Sequence, residues 1–172
     1  KLSLEGLRLL YNLGLLSSMS NQGFQNSTGD QILNLNFPNK IGVAGGLDKN
    51  PDYFHVLGKL GFGFVEVGTF TLKPQAGNPK PRVHRFTKEK NIVNSLGFNN
   101  VGVYQGLKNV ERNKLWFDGV LGISIGKSKE TKIINAYKDY LHLIDYVHDQ
   151  ADYIAINISS PNTKNLRDLS SE

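Results

Sequence analysis

The sequence of 172 residues contains no cysteine. This absence excludes a disulfide framework, a thiolate metal site and a cysteine nucleophile within these residues. No apolar run reaches the roughly 18 residues that a membrane-spanning helix needs. The four histidines fall in predicted helices or loops, without metal-ligand spacing to each other or to a carboxylate; they are His55, His84, His142 and His148. We therefore expect no metal site and no Ser-His-Asp triad.

Composition is typical of a globular chain, with 39% hydrophobic and 20% charged residues. The net charge of +5 is concentrated in one segment, residues 73–90, in which Glu89 is the only acid. A basic segment fits nucleic acid, anionic lipid or an acidic ligand, and a solvated loop is the common alternative. Because no nucleic-acid-binding signature accompanies the segment, we expect no nucleic-acid partner.

Apolar strand-like runs alternate with helical patterns along most of the chain. Strands are predicted at 41–44, 64–67, 120–125 and 153–156, and helices at 51–60, 100–112 and 131–149. This alternation predicts a parallel sheet with crossover helices. Four such units suit either an open doubly wound sheet or half of an eightfold barrel, since a complete barrel typically needs about 250 residues.

The remaining segments predict smaller features. Leucines at helical spacing in residues 1–20, interrupted by Gly14, predict an amphipathic helix that packs on its own domain or lies on a membrane surface. Residues 21–30 read as a polar loop, and a short hairpin is expected around Asn36–Lys40. The excursion at 70–98 is predicted to be loop with short β pieces. The apolar face of the 131–149 helix is predicted to comprise Ile133, Ile134, Tyr137, Tyr140, Leu141, Ile144 and Val147.

Polar side chains follow the predicted strands, at the end where α/β folds place ligands. The last strand runs directly into Asn157–Thr163, and the first into the glycine-rich turn Gly42–Lys49. Glu66–Thr69 ends the second strand, and the amide-rich stretch Asn94–Asn100 ends the long excursion. Such amides suit an uncharged imide or urea ring, whose edge alternates donors and acceptors. Ordinary turns and helix caps are the competing interpretation of each segment.

Five segments, taken together, resemble class 2 dihydroorotate dehydrogenase, the quinone-dependent enzyme of pyrimidine synthesis. They are Gly45–Lys49, Glu66–Thr69, Lys73–Arg82, Asn94–Asn100 and Asn157–Thr163. The resemblance covers nearly the whole chain, in order, and about the first half of the family's catalytic domain. It implies an FMN-binding (β/α)₈ TIM barrel, about half present in residues 31–172. A helical membrane-associated segment and linker, residues 1–30, would precede the barrel.

The resemblance also implies roles for individual residues. Ser160 would be the catalytic base, and Thr163 would assist exit of the proton. The implied FMN contacts are Gly45, Gly46, Leu47, Asp48, Lys49, Thr69, Ser124 and Asn157. The implied substrate contacts are Lys49, Asn94, Ser95, Leu96, Gly97, Phe98, Asn157 and Asn162. Arg85 would approach the quinone head.

The implied activity is oxidation of dihydroorotate to orotate, with hydride transfer to FMN and a ubiquinone-type acceptor. The implied location is peripheral, at the cytoplasmic face of the inner membrane if the protein is bacterial. Ser160 in a chain without cysteine favours class 2, because the related cytosolic class uses cysteine there. Ser124 departs from the family, which usually has Asn. The alternatives are another FMN-dependent barrel oxidoreductase and a non-enzymatic half-barrel that serves as a binding module.

Overall fold

The computed structural model describes residues 2–16, 29–163 and 165–170. The helices are α1 Leu2–Asn12, α2 Phe54–Lys59, α3 Val103–Lys114 and α4 Ala136–Val147. The strands are β1 Asp30–Ile32, β2 Leu35–Phe37, β3 Gly42–Val43, β4 Phe64–Phe70, β5 Val83–Phe86, β6 Asn91–Asn94, β7 Val120–Ile125 and β8 Tyr153–Ile156. Short 3₁₀ turns occupy Ile133–Asn135 and Leu166–Ser170.

A four-stranded parallel sheet forms the centre, with the strands side by side in chain order, β3-β4-β7-β8. Strands β7 and β8 have the bounds that the sequence predicts, whereas β4 extends to Phe70 and β3 is only two residues long. The pairs β1–β2 and β5–β6 form separate antiparallel hairpins.

Helices α2, α3 and α4 contribute to one apolar core against the sheet, in which α2 contacts α3 and α3 contacts α4. Val65 and Val67 of β4 and Ile123 of β7 are fully buried there. Each such side chain stabilises the fold by about 1.5–3 kcal/mol through removal of apolar surface from water. The strands lie side by side in chain order, and the helices between them pack on the same apolar core. This arrangement is that of a barrel wall, not of a doubly wound sheet.

The alternate residues of the strands point to the opposite, concave side of the sheet. Here Glu66 accepts a hydrogen bond from the Tyr153 hydroxyl (3.3 Å). A side chain at Gly122 would collide with the Tyr153 ring, and one at Gly42 with the Phe64 ring. Glycine at these positions makes room for the two aromatic rings, which fill this side below the strand ends.

Helix α1 packs on α2. The Tyr53 hydroxyl donates a hydrogen bond to Glu5 (2.5 Å), and the Tyr11 ring meets His55 edge-to-face at 5.2 Å. Leu9 and Leu10 of the helix are exposed, and so are Leu13 and Leu15 in the turn that follows it. The helix ends at Asn12, before Gly14. Within the part of the chain that the structure describes, no helix is long and apolar enough to cross a bilayer.

Several predictions of local structure were wrong in detail. The first hairpin turns at Leu33–Asn34, not around Asn36–Lys40, with Leu33 in the left-handed region (φ 54°). Helix α3 starts after Gly102, whose φ of +79° breaks the predicted helix at 100–112. His84 lies in β5 and not in a helix or loop. The predicted loop at 21–30 lies outside the described residues except for its last two positions.

The predicted apolar face of the fourth helix was also wrong in part. Tyr140 and Val147 are buried as expected, but Ile134, Tyr137 and Leu141 are exposed. Ala136, Leu143 and the carboxylate of Asp139 take the inward positions instead. Asp139 is accommodated because it accepts hydrogen bonds from the Ser128 backbone N–H (2.8 Å) and the Thr131 hydroxyl (3.1 Å).

Candidate active site

A cleft of about 340 Å³ lies where the central strands end. Its walls come from four segments far apart in the sequence, and they bring together most of the predicted site residues. The lining residues are Gly45, Gly46, Lys49, Thr69, Asn94, Leu96, Gly97, Phe98, Asn157, Ser159, Ser160, Pro161 and Asn162.

The glycine turn after β3 allows the backbone to lie flat against the cleft. A side chain at Gly45 would collide with the Glu66 carboxylate, and Gly46 has a φ of +103° that favours glycine. The Gly46 backbone N–H donates to the Gly68 carbonyl at 3.0 Å, which ties the turn to the end of β4. The turn therefore offers bare backbone to a flat ligand.

Lys49 supplies a partly buried positive charge at the end of this turn. Burial lowers the pKa of its ammonium group from the ordinary 10.5, and the nearby charge of Arg82 lowers it further. Among the described residues, no carboxylate offsets these two effects. A cation in this position is stabilised by an anionic ligand.

Hydroxyl and amide groups connect the ends of β4, β7 and β8. Asn157 Nδ2 donates to Thr69 Oγ1 (3.1 Å), and Thr69 Oγ1 shares a hydrogen bond of 2.9 Å with Ser124 Oγ. Asn157 Oδ1 accepts a hydrogen bond from the backbone N–H of Ser159 (3.2 Å), which fixes the orientation of the side-chain amide. These contacts hold three polar side chains in fixed positions before any ligand binds.

The loop after β8 carries the predicted base. Ser160 Oγ accepts a hydrogen bond from the Asn162 backbone N–H at 3.3 Å. Asn162 Nδ2 in turn donates to Asn94 Oδ1 at 3.4 Å, so the loop reaches the amide-rich segment. In the described part of the chain, no imidazole or carboxylate is hydrogen-bonded to Ser160.

The segment from Asn94 to Phe98 forms the opposite wall. Phe98 is buried and has a φ of +50°, which is uncommon for a residue with a side chain. Its carbonyl accepts a hydrogen bond from Asn100 Nδ2 (2.8 Å), and Asn100 is itself buried and bonded to Thr71. Strained positions of this kind are common where a binding site is held in shape.

Five predicted site residues lie beside the cleft without lining it. Asp48 is buried and accepts the backbone N–H groups of Asp52 (2.9 Å) and Tyr53 (2.8 Å), just before α2. Burial raises the pKa of this carboxyl, and the two hydrogen bonds oppose the rise. The others are Leu47, which is exposed, Ser95, Ser124, which reaches the cleft only through Thr69, and Thr163, which is buried.

Arg85 lies farther along, in the β5–β6 hairpin, where it pairs with Ile92. The specific roles of all these residues stay predictions. Ser159 and Pro161 also line the cleft and carried no predicted role, although they belong to the same polar stretch after β8. No cluster of three or more potential metal ligands occurs among the residues described.

Comparison with known proteins identifies the family. The sequence model of the family "Dihydroorotate dehydrogenase" matches residues 28–172. The chain is 47% identical over 167 residues to dihydroorotate dehydrogenase (quinone) of Neisseria meningitidis serogroup A, covering 97% of the chain and 48% of that protein. It is 56% identical over 139 residues to the Buchnera aphidicola protein of the same name, covering 81% of the chain and 41% of that relative.

Solved structures of the same family also match this chain. A crystal structure of dihydroorotate dehydrogenase from Eimeria tenella in complex with ferulenol superposes with a TM-score of 0.84 at 39% identity, covering 98% of this chain and 46% of that one. The chain thus spans about half the length of the relatives it matches. The match and the sheet order confirm a TIM-barrel-type fold. The chain belongs to the dihydroorotate dehydrogenase family.

Proposed function

We propose that the protein containing this chain oxidises (S)-dihydroorotate to orotate in de novo synthesis of UMP, with FMN as cofactor and a quinone as final electron acceptor. The observation that carries this proposal is the cleft at the strand ends, which gathers a partly buried cation, three amide side chains and Ser160. The curated relatives named above support the quinone-dependent reaction, since both are dihydroorotate dehydrogenase (quinone).

Family membership implies a flavin, and we assign it as FMN. The residues of the cleft fit this group: the side-chain-free backbone of Gly45 and Gly46 suits a flat ring, and Lys49, Thr69 and Asn157 offer hydrogen-bond donors around it. Ser124 stabilises this set from behind, through its bond to Thr69. When bound, a flavin accepts hydride from carbon and passes the electrons to another acceptor.

The substrate side of the cleft matches the chemistry of a dihydropyrimidine carboxylate. Lys49 pairs with the carboxylate, which compensates the cost of burying the ammonium group. Asn94, Asn157 and Asn162 present amides that match the alternating N–H and C=O groups of the ring. Leu96, Gly97 and Phe98 line the opposite wall of the cleft.

Ser160 removes the proton from the ring carbon next to the one that loses hydride. A serine hydroxyl is hard to ionise unaided. The Asn162 backbone N–H, 3.3 Å from Ser160 Oγ, stabilises negative charge as it develops on this oxygen. Thr163, three residues after Ser160 and buried, assists transfer of the proton to water.

The proposal also includes a contact with the quinone and association with a membrane. The Arg85 guanidinium donates to a quinone carbonyl oxygen. Leu9 and Leu10 of α1, with Leu13 and Leu15 just after it, are exposed, and this apolar surface supports peripheral association of residues 1–30 with a membrane. In a bacterium this would be the cytoplasmic face of the inner membrane.

The test is anaerobic mixing of the full-length protein, purified in detergent, with dihydroorotate while the visible flavin spectrum is recorded. We expect rapid bleaching that a ubiquinone analogue reverses. A yellow protein that does not bleach would contradict dihydroorotate as substrate and favour another FMN-dependent barrel oxidoreductase. A colourless protein would contradict the flavin and favour a non-enzymatic binding module.

A further inference from the structure

We propose that Asn78 is a positioning residue that holds the Asn94–Phe98 segment against the Ser160 loop, and so sets the width of the substrate pocket. This inference rests on the proposed function. Asn78 does not line the cleft, so it acts on substrate only through the residues that it binds.

One amide group of Asn78 spans both walls. Its Nδ2 atom donates to the Ser95 carbonyl at 3.0 Å and lies 3.5 Å from the Asn162 carbonyl. The Asn78 backbone N–H also donates to the Leu96 carbonyl at 3.0 Å. Ser95 and Leu96 belong to one wall and Asn162 to the other. A displacement of Asn78 would therefore move the two walls relative to each other.

The packing around Asn78 leaves little freedom. Gly97 has a φ of +70°, and a side chain there would come within 2.8 Å of Asn78 Cγ and 2.9 Å of its Nδ2. Gly97 therefore permits the amide of Asn78 to lie directly against the backbone of the pocket wall. Gln75 Nε2 donates to the Gly97 carbonyl (3.1 Å) from the same side.

Asn78 is in turn held by Arg82. Arg82 Nη1 donates to the carbonyls of Asn78 (2.9 Å) and Ala76 (2.5 Å), and the Arg82 carbonyl accepts from the Ser95 N–H (2.9 Å). The guanidinium thus fixes the turn from which Asn78 projects. An isolated surface asparagine would lack this support, and its hydrogen bonds would contribute little to the geometry of the pocket.

Asparagine suits this position because a carboxamide nitrogen carries two protons and can donate to two carbonyls at once. Aspartate has the same shape but no donor, and it would place negative charge beside two carbonyl oxygens. Asn78→Asp therefore tests the hydrogen bonds with almost no change in volume.

The experiment uses the full-length flavin-loaded protein, with orotate affinity read from the flavin spectrum and the rate of flavin reduction by dihydroorotate from stopped flow. Since a misplacement of about 1 Å can cost roughly 10²-fold in rate, we expect Asn78→Asp to weaken orotate binding and slow reduction by about tenfold or more. The matched control is Asn39→Asp. Asn39 also donates from Nδ2 to a carbonyl, that of Gly61 (2.8 Å), but it precedes β3 at the other end of the sheet.

The control should lower the melting temperature and leave orotate affinity at the wild-type value. If Asn78→Asp binds orotate within about twofold of wild type, the positioning role is wrong. If neither Asn78→Asp nor Asn78→Ala yields flavin-loaded protein while Asn39→Asp does, Asn78 serves folding, and the proposal is overturned. A wild-type protein that neither binds orotate nor is reduced by dihydroorotate would instead contradict the proposed function itself.

Discussion

At the level of single residues, the substrate-binding role proposed for Lys49 conflicts with the partial burial of its ammonium group. Its ammonium group is partly buried and close to Arg82, and both effects lower its pKa below 10.5. Only the charged form pairs with a carboxylate. If Lys49 binds the substrate as proposed, substrate affinity is full below the lowered pKa of Lys49 and declines as the pH rises through it.

We predict that orotate binding to the wild-type protein weakens at a lower pH than the ordinary lysine pKa would suggest. Lys49→Arg should bind orotate more weakly at neutral pH, because a guanidinium has a different geometry, but should keep its affinity to higher pH. The measurement is orotate titration of the flavin spectrum at a series of alkaline pH values. Parallel pH profiles for the two proteins would contradict a role for the Lys49 charge.

The residues that sequence reasoning could identify are those that directly follow an apolar strand. Lys49, Thr69, Asn157 and Ser160 are of this kind, and the structure brings them to one cleft. The hydrogen bonds that hold the site together could not be predicted from the sequence, because they join residues distant in the chain. The bond from Asn157 to Thr69 spans 88 positions, and that from Asn78 to Asn162 spans 84.

Among the elements, the β5–β6 hairpin is the most exposed. All eight residues of its two strands are exposed, and Arg85 is among them. We predict that Arg85→Ala raises the KM for quinone by about tenfold, through loss of a hydrogen bond from a charged group of about 1.5–3 kcal/mol. Reduction of the flavin by dihydroorotate should be nearly unchanged.

Lys88→Ala, which removes a positive charge at the tip of the same hairpin, is the control and should leave the quinone KM near the wild-type value. The two half-reactions are measured separately by stopped flow. Equal loss of rate in both half-reactions of Arg85→Ala would exclude a specific quinone role.

The contact of α1 with α2 depends on His55. Burial lowers the pKa of its imidazole from 6.5 to about 4, and the charges of Arg112 and Arg8 contribute. The unfolded chain therefore binds more protons than the folded one between pH 4 and 6.5. The contribution to stability is complete above pH 6.5 and is lost as the pH falls towards 4.

We predict that acid lowers the stability of the wild-type protein over this range, by about 1–3 kcal/mol from His55 alone. His55→Phe should reduce the slope, because a phenyl ring retains the edge-to-face contacts with Tyr11 and Phe54 without a titrating group. Melting temperatures from pH 7 to 4.5 provide the measurement. Identical slopes for the two proteins would show that His55 does not titrate in this way.

At the level of elements, the four strands of the central sheet were predictable because each lies in an apolar run between turns. The first hairpin was misplaced because its turn contains Leu33, an exposed leucine at positive φ, where glycine or asparagine is usual. The fourth helix was misread because Asp139 points inward to bind Ser128 and Thr131, a contact that hydrophobic periodicity cannot show.

For the molecule as a whole, the described sheet has two outer strands, β3 and β8, with no further strand beside them among the described residues. Ile41, just before β3, is 51% exposed, and Ile156 of β8 is 55% exposed. We predict that residues 1–172 expressed alone self-associate at micromolar concentration, because unpaired strand edges accept strands of other copies. Light scattering, compared with the full-length protein, tests this, and a stable monomer would contradict it.

In the proposed reaction, dihydroorotate is oxidised in the cleft at the strand ends with Ser160 as the base. The most direct measurement is the anaerobic rate of flavin reduction by dihydroorotate in wild type, Ser160→Ala and Ser159→Ala. We predict a loss of about 10²–10⁴-fold for Ser160→Ala. Ser159→Ala removes the hydroxyl that donates to Asn157 Oδ1 (3.3 Å) but should stay near the wild-type rate, because the Ser159 backbone N–H still donates to the same oxygen. Equal rates in Ser160→Ala and wild type would contradict the account.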